Sequence, residues 1–269
     1  MNDKTIVDVE QTQPRDPFFR VELMRQTPLP NSLVYMAMRQ DHLSEYIFER
    51  LICPDERECG NRIVKHLLSG SKGHYGVLEA PQITLACGYF PHSVMQQLRT
   101  HRIGISFDVQ SFRFTSNPIE EIGEMISKHR YCIDDPELTY LIEKTFYLRP
   151  AGDYQDPENG STYTYDVVMR EEDIQAIADA CASYYYKRHF LNISKEHARG
   201  TLPFDMRQHF VVSMNMRSMM HLLQIRSKKD AQLEVRQWCD LVLPHFEKWS
   251  PEVYQWFMDN LYIKGKLAP

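Results

Sequence analysis

Apolar and polar side chains alternate strictly in "PQITLACGYF". Ile83, Leu85, Cys87 and Tyr89 fall on one side, and Gln82, Thr84, Ala86 and Gly88 on the other. A period of two predicts a strand with one buried face. Pro91 stops it, and Ser93 is placed to cap a helix over "VMQQLRTHR". On that helix Val94, Leu98 and His101 share a stripe, and Gln97 and His101, four apart, are neighbours. Elsewhere the period is helical. Ile63, Val64, Leu67 and Leu68 repeat at helical spacing, with Gly70 and Gly73 beyond them as stops. Ile174, Ile177, Ala178 and Cys181 line one face of a second helix. Ala231, Val235, Trp238, Cys239 and Val242 line a third, with Ser227 placed as its cap. "SMNMRSMMHLLQIR" is apolar around much of its surface, as a helix buried between neighbours is. "SKEHARGTLP" reads as a helix closed by Gly200 and Pro203, and Asn31 or Ser32 can cap a helix or turn near the start. "GDYQDPENGSTYTY" has the composition of turns and fits either a hairpin or an insertion. Residues 1–20 are polar with two prolines and read as a loose arm, which leaves 21–269 as the folded domain.

Composition narrows the class. The chain has 269 residues, formal charge −5 and 43% hydrophobic residues, enough for a sizeable core. Its acidic balance argues against general nucleic-acid affinity. The six cysteines are scattered without zinc-ligand spacing and read as reduced thiols of a cytoplasmic protein, with no metal site. The N-terminal stretch lacks an apolar signal core, and no apolar run approaches the length of a membrane span.

Against that background "LRTHRIGISFDVQSFRFTS" stands out. It holds three arginines, one histidine, five hydroxyl side chains and one acid in nineteen residues. Two readings fit: a surface segment with ordinary ion pairs, or a site for an anionic ligand. Because the chain has neither a GxGxxG nor a GxxxxGK[ST] loop, phosphate would have to be held by side chains. Arg199, in "HARGTLP", either faces a helix C-terminus or points into a cleft. In "NMRSMMHLLQIR" a helical wheel puts Arg217, His221 and Gln224 on one side and Asn215, Ser218, Leu222 and Arg226 on roughly the opposite side. Arg226 follows three aliphatic residues, so it either snorkels to water or has an anionic partner.

"THRIGISFDVQSFR" resembles the signature of flavin-dependent thymidylate synthases: an Arg-His-Arg triplet, seven or eight residues, then a serine followed two later by arginine. "SGSKGHYGVLEAP", "ARGTLP" and "NMRSMMHLLQIRSKKDAQLEVRQ" resemble further stretches of that family, in order, from about residue 28 to 245. Three positions depart from the commonest pattern: Thr100 replaces arginine, the spacing to Ser111 is eight, and His221 stands where many members have asparagine. The resemblance implies conversion of dUMP to dTMP, with carbon from 5,10-methylenetetrahydrofolate and a hydride from NADPH through FAD, in a homotetramer. It implies that His74, Gly76, Thr100, His101, Arg102, Asn215, Arg217 and His221 hold FAD. Gln97, Val109, Gln110, Ser111, Phe112, Arg113 and Arg199 would surround dUMP. Arg226 would contact the uracil ring and promote loss of its N3 proton, and Ser111 would act as a positioning hydroxyl.

Pattern and resemblance together predict one α+β domain, a mixed sheet flanked by helices. Partners would be a second copy of the chain, dUMP, folate and NADPH, with no nucleic acid and no membrane. Two other functions fit the residues: a nucleotide-binding flavoprotein that transfers no carbon, and a non-catalytic nucleotide-binding protein.

Overall fold

The computed structural model describes residues 15–50, 52–70, 73–129, 135–156, 158–262 and 264. Along the chain come β1 (Arg20–Gln26), α1 (Pro30–Gln40), α2 (Ile47–Arg50) and α3 (Glu56–Ile63), which continues as a π-helical turn over Val64–Leu68. A 3-10 turn (Tyr75–Glu79), β2 (Gln82–Pro91), α4 (His92–Leu98) and β3 (Ile105–Val109) follow. Next are α5 (Asn117–His129), α6 (Pro136–Thr145), β4 (Gly152–Gln155), β5 (Thr162–Tyr165), α7 (Val167–His189) and α8 (Lys195–Ala198). A second 3-10 turn (Arg199–Thr201), β6 (Arg207–Asn215), α9 (Met216–Arg226), α10 (Leu233–Trp249) and α11 (Pro251–Asn260) complete the order.

The main sheet has the order β1-β2-β6-β3, and β4 pairs with β5 in a separate hairpin. The expected mixed sheet is instead antiparallel. Thr27, just past β1, bonds to Gln82 at the start of β2; Thr84 meets Ser213 and Tyr89 meets His209 between β2 and β6; Gln110 bonds to His209 and Asn215 to Gly104 between β6 and β3. Each pair of strands therefore runs in opposite senses. Strand direction depends on which distant segments meet, which side-chain alternation cannot encode. The alternation in β2 holds through Cys87 and then breaks. Tyr89 has φ of 66°, and Phe90 takes the buried side.

By contacts the chain forms two compact units. The first comprises the described residues of 1–19, 88–95 and 109–209, and the second those of 20–87, 96–108 and 210–269. In the first unit, α5, α6 and α7 bury Ile119, Ile122, Leu138, Ile142, Ile174, Ile177 and Cys181 in one cluster. The stripe expected on α7 is thus its buried face. Gly123 lets α5 and α7 approach closely: a Cβ there would lie 2.4 Å from Tyr185 Cβ and 2.6 Å from the Cys181 carbonyl oxygen. The "GDYQDPENGSTYTY" stretch is a hairpin, with Gly152 opposite Tyr165 and Gln155 opposite Thr162. Of the arm expected over 1–20, residues 1–14 lie outside the described residues. Asp16 and Phe19 are buried. Arg207 donates to both Asp16 carboxylate oxygens, at 3.0 and 2.7 Å, and its guanidinium lies 4.9 Å from the Phe18 ring centre. Removing one partner of such a buried pair costs about 3–5 kcal/mol.

In the second unit α1 starts at Pro30 after Leu29, and its exposed amides are met from a distance. The Glu56 carboxylate accepts from Asn31 N at 2.6 Å and from Ser32 N at 2.9 Å, placing negative charge at a helix N-terminus. The helix expected from Ile63, Val64, Leu67 and Leu68 divides between the end of α3 and the π-helical turn, and Gly70 follows with φ of 95°. The helix expected over 213–226 begins only at Met216. Asn215 caps it by accepting from Ser218 N, and the residues before it belong to β6, a strand in place of the expected helical turn. Ser227 is the C-cap of α9 rather than the N-cap of α10. Trp238, Cys239 and Val242 of α10 are fully buried, and the Trp238 indole donates to Cys87 Sγ at 3.3 Å.

Candidate functional site

Most of the candidate residues in the second unit converge through Arg226, the last residue of α9. Its Nε donates to His101 Nε2 at 3.0 Å. Its terminal nitrogens donate to the Gln97 carbonyl oxygen and to Thr100 Oγ1, each at 3.0 Å, and to Gln97 Oε1 at 3.4 Å. Gln97 is held in turn, its amide donating to Gln232 Oε1 at 2.8 Å, and Gln232 donates to Glu234 at 2.7 Å. His221 faces His101 edge-on, with ring centres 6.0 Å apart.

The electrostatics follow from this packing. His101 is pushed down from 6.5 to about 4, by burial first and then by the charges of Arg226 and His221. It is therefore neutral at pH 7, and a neutral ring nitrogen can accept from Arg226. Burial also lowers the pKa of Arg226, yet a guanidinium stays protonated in a protein. The helical wheel had put His221 and Arg226 on opposite sides of α9. His101 lies past the end of α4 and meets both, so the two stripes join on one imidazole.

Other members of the set are committed elsewhere. Asn215 caps α9, and Arg217 pairs with Glu79 at 2.6 Å. A tight clasp holds the start of α9 against the turn before β3. Gly104 O accepts from Asn215 N at 3.1 Å, and Ser218 Oγ donates to Ile103 O at 2.8 Å. Gly104 has φ of +67°, and a Cβ there would lie 2.2 Å from Asn215 Nδ2, so only glycine fits. Arg102, Thr100, His74 and Gly76 are exposed, and a Cβ at Gly76 would meet nothing within 4 Å.

The remaining candidates, Val109 to Arg113 and Arg199, belong to the first unit. Gln110 is fixed to β6, its backbone donating to His209 O and its side chain accepting from His209 N. Phe112 is buried. Ser111, Arg113 and Arg199 are exposed. Arg113 pairs with Glu196 at 3.0 Å, and among the described residues the Ser111 hydroxyl has no hydrogen-bond partner. No base is therefore poised there to activate it.

The family model described as "Thymidylate synthase complementing protein" matches residues 22–252. This chain belongs to that family. It is 26% identical over 265 residues to the flavin-dependent thymidylate synthase of Halobacterium salinarum, covering 93% of this chain and 100% of that one. It is likewise 26% identical to the flavin-dependent thymidylate synthase of Haloarcula marismortui, over 93% and 99% of the two chains. Among solved structures, thymidylate synthase X from Helicobacter pylori with FAD and dUMP superposes with a TM-score of 0.63 at 19% identity, over 91% of this chain and 99% of that one. The UMP/dUMP methylase PolB from Streptomyces cacaoi, bound with 5-Br dUMP, gives 0.64 at 18% identity, over 93% and 97%. The chain is accordingly a member of an enzyme family.

Two residues of the "DAQLEVRQ" end of the quoted stretch carry no expected role from the sequence. Gln232 and Glu234 hold Gln97 in place and so orient the acceptor of Arg226. The stretch itself was the available signal; what it touches depends on the fold. Among the described residues no helix is long and apolar enough to cross a membrane, and no group of three or more His, Cys, Asp or Glu side chains is placed to hold a metal ion.

Proposed function

We propose that the chain is a flavin-dependent thymidylate synthase. It converts dUMP to dTMP with carbon from 5,10-methylenetetrahydrofolate and a hydride from NADPH by way of FAD, and no enzyme cysteine serves as nucleophile. The observation that carries this reading is Arg226, a half-buried guanidinium fixed by Gln97, Thr100 and a neutral His101. Methylation at C5 of a uracil ring needs electron density at C5, and loss of the N3 proton supplies it. Arg226 cannot lose its own proton, so it holds the resulting anion. Of its five N–H donors, one on a terminal nitrogen is left over from the bonds above and another reaches only 3.4 Å. His101, being neutral, orients Arg226 without adding a competing charge.

The donor set fits FAD. Arg102 and His74 are exposed and His221 is half-buried, so a cation and imidazoles are open to solvent and available to a pyrophosphate, while the Thr100 hydroxyl is engaged by Gln97 and Arg226. When bound, FAD supplies the redox chemistry, and the protein supplies position and charge. In the first unit Arg113 and Arg199 suit the dUMP phosphate, and Ser111 positions rather than attacks. Four of the thiols are in keeping with a cysteine-free route: burial pushes Cys59, Cys87 and Cys239 up to about 12 and raises Cys181 as well, whereas Cys53 is exposed. The names of the relatives agree with this reading. A homotetramer in the cytoplasm is part of it.

The test is an anaerobic reaction of the FAD-loaded protein with dUMP, methylenetetrahydrofolate and NADPH, run beside a reaction with UMP. dTMP is the expected product. A yellow protein that makes none would be a nucleotide-binding flavoprotein instead, and a colourless one that takes up no FAD would be neither. Light scattering checks the tetramer.

A further inference from the structure

A cavity of about 1120 Å³ lies within the second unit, and of the residues assigned above only His74 lines it. Its walls come from the C-terminal half of α1, from α3 and from the π-helical turn. That volume is slightly above the usual range of about 300–1,000 Å³ for small-molecule sites.

The charge on its walls is not balanced. Arg62 is neutralised by Glu58 at 2.7 Å and also donates to Tyr35 Oη at 2.9 Å. This leaves Arg39 and Lys65 facing the cavity against Asp41 alone, in a chain whose net charge is −5. Arg39 Nε is buried, and among the described residues it has no hydrogen-bond partner. A buried donor on a charged group is costly to leave unmatched, and an acceptor arriving with a ligand would satisfy it. Lys65 and His66 both sit in the π-helical turn and both line the cavity. Such turns are rare and concentrate at functional sites.

We propose that this cavity binds an extended anionic arm, a phosphate or carboxylate group, of one of the two co-substrates, with Arg39 and Lys65 as its ligands. The proposal rests on the thymidylate synthase reading, which supplies two such arms: the 2′-phosphate that distinguishes NADPH from NADH, and the glutamate carboxylates of a folate.

Binding measurements separate these sources and do not depend on turnover. FAD-loaded protein is titrated calorimetrically with NADP⁺ and NAD⁺, and with tetrahydrofolate carrying one or five glutamates. The wild type should prefer the more anionic member of one pair by about tenfold. The first pair identifies a phosphate site, and the second a carboxylate site. The double variant Arg39→Gln/Lys65→Gln should lose that preference, and Arg39→Lys/Lys65→Arg should keep it. Lys65 is exposed, so Lys65→Gln alone gives a folded protein and should lose part of it. A wild type without preference in either pair overturns the proposal. So does a preference that survives both glutamine variants. If the preference is present and charge-dependent but no dTMP forms in the turnover assay, the site stands and the assigned reaction falls.

Discussion

Arg226 is half-buried and makes four hydrogen bonds to Gln97, Thr100 and His101, whereas Arg113 is 54% exposed and its partner Glu196 is 59% exposed. Both arginines were expected at the nucleotide, one from each unit. The second unit fixes its guanidinium in advance, with hydrogen bonds from the Glu234 carboxylate through the Gln232 and Gln97 amides behind it. The first leaves its guanidinium on a weak surface pair that an incoming phosphate can replace at little cost. This contrast matches two jobs. A donor that meets charge developing during a reaction gains by not having to reorganise. One that captures a ligand already charged gains by being accessible.

The most severe test of the contrast is Arg226. Arg226→Lys and Arg226→Ala should each slow dTMP formation by about 100- to 1,000-fold, roughly 3–4 kcal/mol in activation free energy, because lysine keeps the charge and loses the fork. Single-turnover rates would show it. In Arg226→Ala the pKa of His101 should also rise from its depressed value, since one of the charges holding it down is gone; proton NMR of the imidazole reads this. A lysine variant as fast as wild type would mean that the preset geometry does not matter.

Backbone comes next. Gly104→Ala should destabilise the fold by about 1–3 kcal/mol or more, from its φ of +67° and the collision with Asn215 and Ser218. Gly200→Ala in the first unit, where a Cβ meets nothing within 4 Å, should change stability by less than about 0.5 kcal/mol. Thermal denaturation of the pair decides whether rigidity is confined to the Arg226 region.

A smaller effect is expected at the open cluster. Arg113→Gln and Ser111→Ala should each weaken dUMP binding by about tenfold, measured by calorimetry, with folding stability changed by less than about 1 kcal/mol. Turnover at saturating dUMP should survive in Ser111→Ala. Abolished turnover with unchanged dUMP affinity would return Ser111 to the role of nucleophile.

The smallest is a pH effect. His101 is held neutral in the fold, with its pKa lowered from 6.5 to about 4. Between those values the unfolded chain binds the proton more readily than the folded one. The stabilisation is complete above about pH 6.5 and is lost as pH falls toward 4. Denaturant melts of wild type and His101→Gln across that range should differ in slope, with the variant flatter.

Much of this was legible in the sequence, for identifiable reasons. The alternation of Ile83, Leu85 and Cys87 and the stripe of Ile174, Ile177 and Cys181 depend only on local period and burial, and both are buried in the fold. β6 was not legible. Its alternating Phe210, Val212 and Met214 run without a break into the apolar helix, and only the Asn215 cap marks the change. The candidate arginines could be named from the signature. Which of them is held by a half-buried network and which by an exposed pair could not, because that depends on Gln232, Glu234 and Glu196 arriving from elsewhere in the chain.

The bonds that fix Arg226 and the clasp at Gly104 have a kinetic consequence. Arg226 lies 125 residues from His101, Gln97 lies 135 from Gln232, and Ser218 lies 115 from Ile103. No helix or hairpin of the chain can form any of these contacts while the rest is unfolded. Each requires closing a very long loop before it returns anything, the situation that makes folding slow. The site should therefore mature late, after collapse and after most helical signal has returned. In refolding experiments the helical circular dichroism should recover first, and the depressed pKa of His101 last.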